Sequence, residues 1–540
     1  MLFRWDQSRG FSLCMAVLTV PVTLGAIYSA YLIYSGPDPS ITALLLRAGL
    51  VYLSTSIRHD FADRFRNAGK ARSLGCSQVP VYPHKDPILG LDLAWQQVRR
   101  RKNHTVVEGF IDRFQRYGHT HYQLALGQRI IVTDDPENIK TILATKFEDW
   151  PIAGARLHAV LPLLGPKSIF SSNGEAWHSA RTMLRPAFVR DQVADFRCFE
   201  RHTENFIQRI PTDGSTVDLQ ELLLAMSMDS STDFLLGYST GLLTENPLPD
   251  TREFTRAFGE AALKSSMKAL VGPFLFKLPD RELDRNVKKV RDFVRYYLRE
   301  VATEKAGNPK YQDSERAYVF LDELLKQDAP EEFVVDQILS VLIAGRDTTA
   351  MGIAVCFWFL ARHPDAVVKL REEILSANAH DPTWEQLKNM KYLNSVIKES
   401  LRLVPPVPMN TRVANKDTVL PVGGGHDGRQ PVFVAKGTPV RFSLISMQRR
   451  QDLYGPTAHK FSNARWLDDK FRPGWEYVPF HGGPRVCLGQ QFALTQIAFV
   501  LFRVFQRFKA IEAADEGPMR LATSLTASFA TGVPVRLTPA

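Results

Sequence analysis

Cys487 sits in a loop bent by glycine and proline, Phe480-His-Gly-Gly-Pro-Arg-Val-Cys-Leu-Gly489. The next stretch, Gln490-Gln-Phe-Ala-Leu-Thr-Gln-Ile-Ala-Phe499, reads as a helix with an apolar face. A cysteine ahead of a helix N-terminus, two residues from Arg485, has its thiolate favoured by the dipole and the cation. A single protein thiolate is what a haem iron needs for O–O bond cleavage. A second reactive group lies at Ala344-Gly-Arg-Asp-Thr-Thr349, where an apolar run turns abruptly polar. There the carboxylate of Asp347 adjoins the hydroxyl of Thr348, a pair able to order water and pass protons.

These groups need elements to hold them. From Pro330, behind Asp328 as a cap, the helical pattern runs without a proline to His363. That length is roughly 50 Å at 1.5 Å per residue, enough to cross the whole body. Gly345 and the paired threonines weaken this helix at its centre, and such local inconsistency marks a functional place. Helix signals dominate from about 175 to 404. A strand pair with a turn near Gly127 is predicted over Gln123–Thr133, and short strands return at Val432–Ala435 and Thr438–Phe442. Arg520–Thr523 and Val533–Thr538 are expected to form the final pair. The predicted class is mainly α with small peripheral β-sheets, without the βαβ alternation of a parallel sheet.

Composition is that of a globular enzyme, with 45% hydrophobic and 23% charged residues in 540. Five scattered cysteines make neither a disulfide framework nor a zinc site. The N-terminus differs. Phe11 to Ser35 is uncharged and mostly apolar, long enough to span a bilayer. A second apolar run, 41–57, carries Arg47 at its middle and is expected to lie along the interface, a two-helix hairpin being the alternative. The expected division is a membrane anchor over 1–57, a basic, proline-containing connector over 58–90 and a catalytic domain over 91–540. Arg58, Arg64, Arg66, Lys70 and Arg72 place that domain on the cytoplasmic side. The net charge of +10 fits anionic lipid or an acidic partner. No nucleic-acid partner is expected, since no aromatic platform or DNA-binding motif accompanies the basic run Arg99–Lys102.

The pattern Phe-x-x-Gly-x-Arg-x-Cys-x-Gly is complete, and it resembles the haem-binding loop of the cytochrome P-450 superfamily. The resemblance covers about residues 80 to 540. It implies a cytochrome P-450 fold holding haem b, with Cys487 as axial thiolate and Phe480 beside the cofactor. Ala344–Thr349 resembles the family's oxygen-activating motif, which gives Asp347 and Thr348 proton delivery and Gly345 the task of leaving room for dioxygen. Trp177 and Arg181, at i and i+4, would reach a haem propionate, as would Arg485 and Arg412. Glu399 and Arg402 would form a buried triad with Arg465, although Asn463 and Ala464 replace the usual proline and glutamate before that arginine. Within the superfamily, Gly489-Gln-Gln-Phe-Ala493, Gly174-Glu-Ala-Trp177 and Pro162-Leu-Leu-Gly165 look like fungal alkane and fatty-acid hydroxylases. One departure is Pro166-Lys-Ser168, where those relatives have a short glycine turn; the loop is expected to line the substrate entrance.

The implied activity is oxygen insertion into an unactivated C–H bond of a long apolar substrate, a fatty acid or alkane. Electrons would come from an NADPH–cytochrome P-450 reductase, because the chain carries no dinucleotide fingerprint. The setting would be the endoplasmic reticulum membrane. Val341, Leu342, Val407, Met409 and Leu525 are the expected apolar wall, and Arg156 the cation for a substrate carboxylate or a haem propionate. Two alternatives stay open: the same chemistry on a polyketide or terpenoid, and a reductase-independent isomerase or dehydratase.

Overall fold

The computed structural model describes residues 66–188, 196–270, 279–307 and 329–540. The expected anchor (1–57, with its runs 11–35 and 41–57) and Asp328 lie outside the described residues. The helices that shape the site are α1 (Leu91–Lys102), α2 (Gly154–Leu164), α3 (Gly174–Leu184), α4 (Leu219–Leu236), α5 (Thr251–Leu270), α6 (Arg281–Gly307), α7 (Glu331–Leu360), α8 (Lys391–Leu403) and α9 (Gln490–Arg507).

Helix α7 organises the body. Its N-cap is Pro330 itself (φ −55°, ψ 138°), with no side-chain cap, and it stops at Leu360, three residues short of the expected His363. Among the described residues it is the one helix long and apolar enough to cross a membrane. Most of its length is buried, which makes it a core helix that is apolar nearly all round. Its first half, Val334 to Ile343, packs in one apolar core with α2, α4, α5 and α6. Its second half, Ala350 to Leu360, packs in another with α8, α9 and the C-terminal strands. The polar residues 344–349 fall between the two cores. Helix α4 lies close against this seam, since a Cβ at Gly345 would meet Ser231 Oγ at 2.8 Å.

Small sheets flank the helices, among them the hairpin of β5 (Thr418–Gly424) and β6 (Gln430–Val434). One has the order β1-β2-β7-β4, with β1 Thr120–Ala125, β2 Gln128–Thr133, β4 Met409–Val413 and β7 Pro439–Ser443. The β1–β2 turn is Leu126-Gly127, at φ 50° and 77°. Two positive φ values in a two-residue loop match the twist of a hairpin. Strands β2 and β7 pair in parallel, Ile131 opposite Val440, a pairing that no local alternation announces. The C-terminal pairing also departs from expectation. β9 (Leu521–Thr523) pairs with β10 (Ala527–Phe529), while β11 (Pro534–Pro539) pairs with β8 (Phe508–Ala513) and β3 (Val217–Asp218). Turn residues 524–526 favour the nearer partner for β9, and β11 continues the sheet begun by α9's exit strand.

The connector is docked onto the body. Tyr82 N–H donates to Tyr122 O at 2.9 Å, Tyr122 N–H to Pro80 O at 2.8 Å, and Ser77 N–H to Pro431 O at 2.9 Å. The folded unit therefore includes residues well before 91.

Glu399 and Arg402, on α8, are fully buried and bidentate, at 2.8 and 2.9 Å. Arg465 Nε donates to Glu399 Oε1 at 3.1 Å, so the expected triad is formed. Ser462 N–H (2.9 Å) and Trp466 Nε1 (2.9 Å) saturate the carboxylate. The divergent Asn463 donates to Ser395 Oγ, 2.9 Å away on α8. Burial pushes the Glu399 carboxyl up, but Arg402, Arg465 and the Ser462 N–H more than offset this and hold it below its usual value. Removing one partner strands the other charge in the interior, so Glu399→Ala should lower stability by about 3–5 kcal/mol in denaturant unfolding. With the folded pKa depressed, Glu399 stabilises the fold above the ordinary glutamate pKa. The wild-type advantage over Glu399→Gln should fade as pH falls through and below that value.

Candidate active site

The cysteine loop is shaped by close approaches. Gly483 has φ 67°, and a Cβ there would lie 1.9 Å from the Leu143 carbonyl oxygen, so only glycine fits. Cys487 N–H donates to Phe480 O at 3.1 Å, closing the loop just before α9. Cys487 then opens onto a large cavity, which Phe480, Gly345 and Thr348 also line. Cys487 is exposed to the cavity, yet desolvation by the surrounding protein pushes its thiol up, against the Gly489 N–H and the charge of Arg181, which pull it down. The charge acting on the sulfur is that of Arg181, and desolvation outweighs both helpers. Coordination to a metal is what deprotonates such a thiol.

Four arginines converge on the same cavity: Arg156, Arg181, Arg412 and Arg485. Arg485 lies 4.4 Å over the Trp177 ring and donates to the Ser172 and Ile169 carbonyls and to Asn173 Oδ1. Arg412, buried, donates through Nη1 to Asn410 Oδ1 and Thr411 O, both at 3.0 Å. None of the four forms an ion pair with a carboxylate of the described residues. Burial, with the charges of Arg156 and Arg485, pulls Arg412 down to about 9. Burial takes Arg156 and Arg485 down to about 10. His481 is held at about 3 by burial and by Arg412 and Arg156. Its Nε2 accepts from Asn410 Nδ2 at 2.9 Å, which leaves the ring proton on Nδ1. Buried, uncompensated cations require an anion. The two propionates of a haem are such an anion, and Cys487 on the same cavity would supply a thiolate to its iron. The residues present fit the group.

The oxygen motif is placed as expected for Thr348 and differently for its neighbours. Thr348 Oγ1–H donates back to the Ala344 carbonyl and leaves its oxygen facing the cavity. Asp347 is not among the lining residues; it pairs with Arg346 at 3.1 Å, and burial raises its carboxyl pKa. Gly345 lines the cavity, but its missing Cβ is directed at Ser231.

Val341, Val407 and Leu525 line the cavity; Leu342 and Met409 do not. Leu342 is turned about 100° from Val341 around the helix and is buried among α2, α4 and α5. Met409 alternates with Asn410 along β4, and it packs against Val106, Phe110 and Phe114 on the far face of the sheet. The same alternation, read outward from Arg412, finds Asn410, which sequence reasoning missed. His481, Ile169, Phe170 and Phe492 were also missed as cavity residues.

The chain matches the family model "Cytochrome P450" over residues 83–531. It is 41% identical to the cytochrome P450 monooxygenase himC of Aspergillus japonicus, over 99% of this chain and 92% of the relative. It is 38% identical to the cytochrome P450 monooxygenase fsdH of Fusarium heterosporum, over 86% of this chain and 83% of the relative. Cytochrome P450 52A12 of Debaryomyces hansenii is 36% identical, over 90% of this chain and 97% of the relative.

Replacing Cys487 with alanine should abolish thiolate ligation, because Cys198 and Cys356 lie in helices and Cys76 lies outside the cavity. The check is absorption of the reduced, CO-bound protein, where a surviving thiolate-type red-shifted band would overturn the assignment. With its thiolate loop, arginine cradle and cavity-facing threonine matched over most of its length, the chain belongs to the cytochrome P450 family and is a monooxygenase of the haem-thiolate kind, fed by a reductase.

Proposed function

We propose that this monooxygenase hydroxylates an unactivated C–H bond of a long alkyl chain, a fatty acid or an alkane. The observation that carries the proposal is the cavity wall. Val160, Leu164, Phe170, Phe234, Val341 and Leu525 line it, and each methylene buried there contributes about 0.8 kcal/mol. The motifs that resemble fungal alkane and fatty-acid hydroxylases support the same reading. When bound, the haem activates dioxygen and supplies the oxidant that breaks the C–H bond. This chain's residues do the rest. Cys487 would hold the haem iron through its sulfur, and Arg181, Arg412 and Arg485 would neutralise the propionates. Thr348 Oγ1, its own proton committed to Ala344 O, accepts a hydrogen bond from a water molecule and so orders the water that carries protons inward. Asp347, held behind it by Arg346, is the proton store.

Arg156 stands with Arg412 and His481, which supports a role on the propionate side over one on a substrate carboxylate. Binding-difference spectra across fatty acids, alkanes and terpenoid skeletons test the whole reading, and tight binding of terpenoids alone would replace it with the secondary-metabolite alternative. In the same panel, Arg156→Ala should weaken a fatty acid and an alkane of equal length alike. A loss of roughly 1–3 kcal/mol confined to the acid would assign Arg156 to the substrate carboxylate.

Attachment to the endoplasmic reticulum membrane, with the catalytic body cytoplasmic, is part of this proposal. Beyond the apolar run 11–35, helix α1 supports it. Leu91, Trp95 and Val98 lie on one face and are 49%, 71% and 63% exposed, and Arg99 and Lys102 follow in the last turn. An apolar stripe with a tryptophan and a basic end suits an anionic bilayer surface. Deleting residues 1–57 should leave haem binding intact and weaken membrane pelleting. Adding Trp95→Asp and Val98→Asp should release the remainder. Loss of haem from the truncated protein would make the N-terminus part of the fold.

A further inference from the structure

Away from the cavity, two helices bring together three side chains that the oxygen chemistry does not use. The helix Arg197–Gln208 carries Cys198 and His202, at i and i+4 on one face. Asp233, on α4, meets them from the neighbouring helix. The Cys198 sulfur, a His202 ring nitrogen and an Asp233 carboxylate oxygen all lie within 4.8 Å of one another. His202 Nε2 stands 2.9 Å from Asp233 Oδ2. None of the three lines the cavity. The spacing of the cysteines announces no zinc site, because Asp233 comes 31 residues after His202 and only the packing of the two helices supplies it.

A sulfur, an imidazole and a carboxylate at this spacing are donors of the kind that zinc takes. A tetrahedral zinc holds its ligand atoms about 3.3–3.8 Å apart, so small side-chain shifts would close the site. His202 is 2% exposed and forms the floor. Cys198 and Asp233 are partly exposed and leave an ion a way in. Desolvation by the surrounding protein and the charge of Asp233 push the Cys198 thiol up. A divalent cation reverses that balance, because a coordinating thiol is deprotonated outright and its proton leaves to solvent. Thiolate and carboxylate together then match the two charges of the ion. At present Arg201 Nη2 lies 3.3 Å from Asp233 Oδ2. The Arg201 side chain is 59% exposed, so it can swing into water when an ion takes its place.

We infer that Cys198, His202 and Asp233 form a zinc site, with water in the fourth position, that clips the helix Arg197–Gln208 to α4. The clip closes on a part of α4 that is tied to the body on both sides of the haem pocket. Ser231, two residues before Asp233, lines the cavity, and its Oγ is the atom that a Cβ on Gly345 of α7 would meet. Gln496 of α9 donates to Ser230 Oγ at 3.1 Å. Metal bound here stabilises the folded protein by mass action, since the unfolded chain does not hold the three donors together. The inference is independent of the substrate, so the failure of fatty acids to turn over would leave it untouched.

The test uses untagged, full-length holoprotein, treated with chelator and then dialysed against zinc alone. Metal analysis should give one zinc per haem. X-ray absorption at the zinc edge should show one sulfur neighbour at about 2.3 Å. Cys198→Ser should remove that sulfur and weaken zinc binding at least tenfold, and His202→Ala should weaken it as much. Saturating zinc should raise the thermal midpoint of the wild type and leave that of Cys198→Ser where it was. Cys198→Ser keeps the His202–Asp233 contact, and the reduced, CO-bound band checks that each variant is folded around its haem. Where His202→Ala does not hold haem, His202→Gln takes its place. No zinc retained, a zinc without a sulfur neighbour, or equal affinity in the wild type and Cys198→Ser would overturn the inference.

Discussion

A single carboxylate, that of Glu399, holds the segment that presents the catalytic cysteine. Arg402, Arg465, Trp466 and the Ser462 N–H all spend donors on it. Arg402 also reaches the carbonyls of Gln448 and Ala458. Gln448 in turn takes Val478 N–H at 3.1 Å, two residues before Phe480. The path from α8 to the cysteine loop is therefore continuous and buried. Its charges are saturated, which is the condition under which a buried ion pair fixes a structure without leaving an orphan.

The cradle above it is built on the opposite principle. Arg156, Arg412 and Arg485 are buried or partly buried with no ion pair to a described carboxylate, and each depresses a neighbour. One site is complete in the polypeptide, and the other is complete only with a bound anion. This contrast separates the fixed scaffold from the cofactor's place more sharply than the cavity's outline does.

Much of this was legible in the residues. The Cys487 loop, the long helix α7, the i, i+4 pair Trp177 and Arg181, and the Glu399–Arg402 spacing are local patterns, and local patterns survive folding. The misreadings have physical causes. Leu342 and Met409 have the right chemistry and point the wrong way, which only helix phase and strand alternation decide. Sequence neighbours favour the thiolate, whereas desolvation by the surrounding fold, a tertiary quantity, dominates Cys487. The C-terminal pairing failed because strand partners are chosen across space. The partners of Lys167, Ser168 and Ile169 lie some 170 residues away on α7, where no local pattern points.

The parallel pairing of β2 with β7 also constrains how the chain is made. Ile131 meets Val440, so β2 leaves the ribosome long before its neighbour exists. At about 5–20 residues per second, the wait is roughly 15–60 s. During that interval the β1–β2 hairpin stands with one edge open, a template for wrong partners. Docking of residues 80–82 covers the other side of β1 early, from a segment already synthesised. The nascent sheet is thus guarded on one flank from the start, and only the flank reserved for β7 depends on the end of translation.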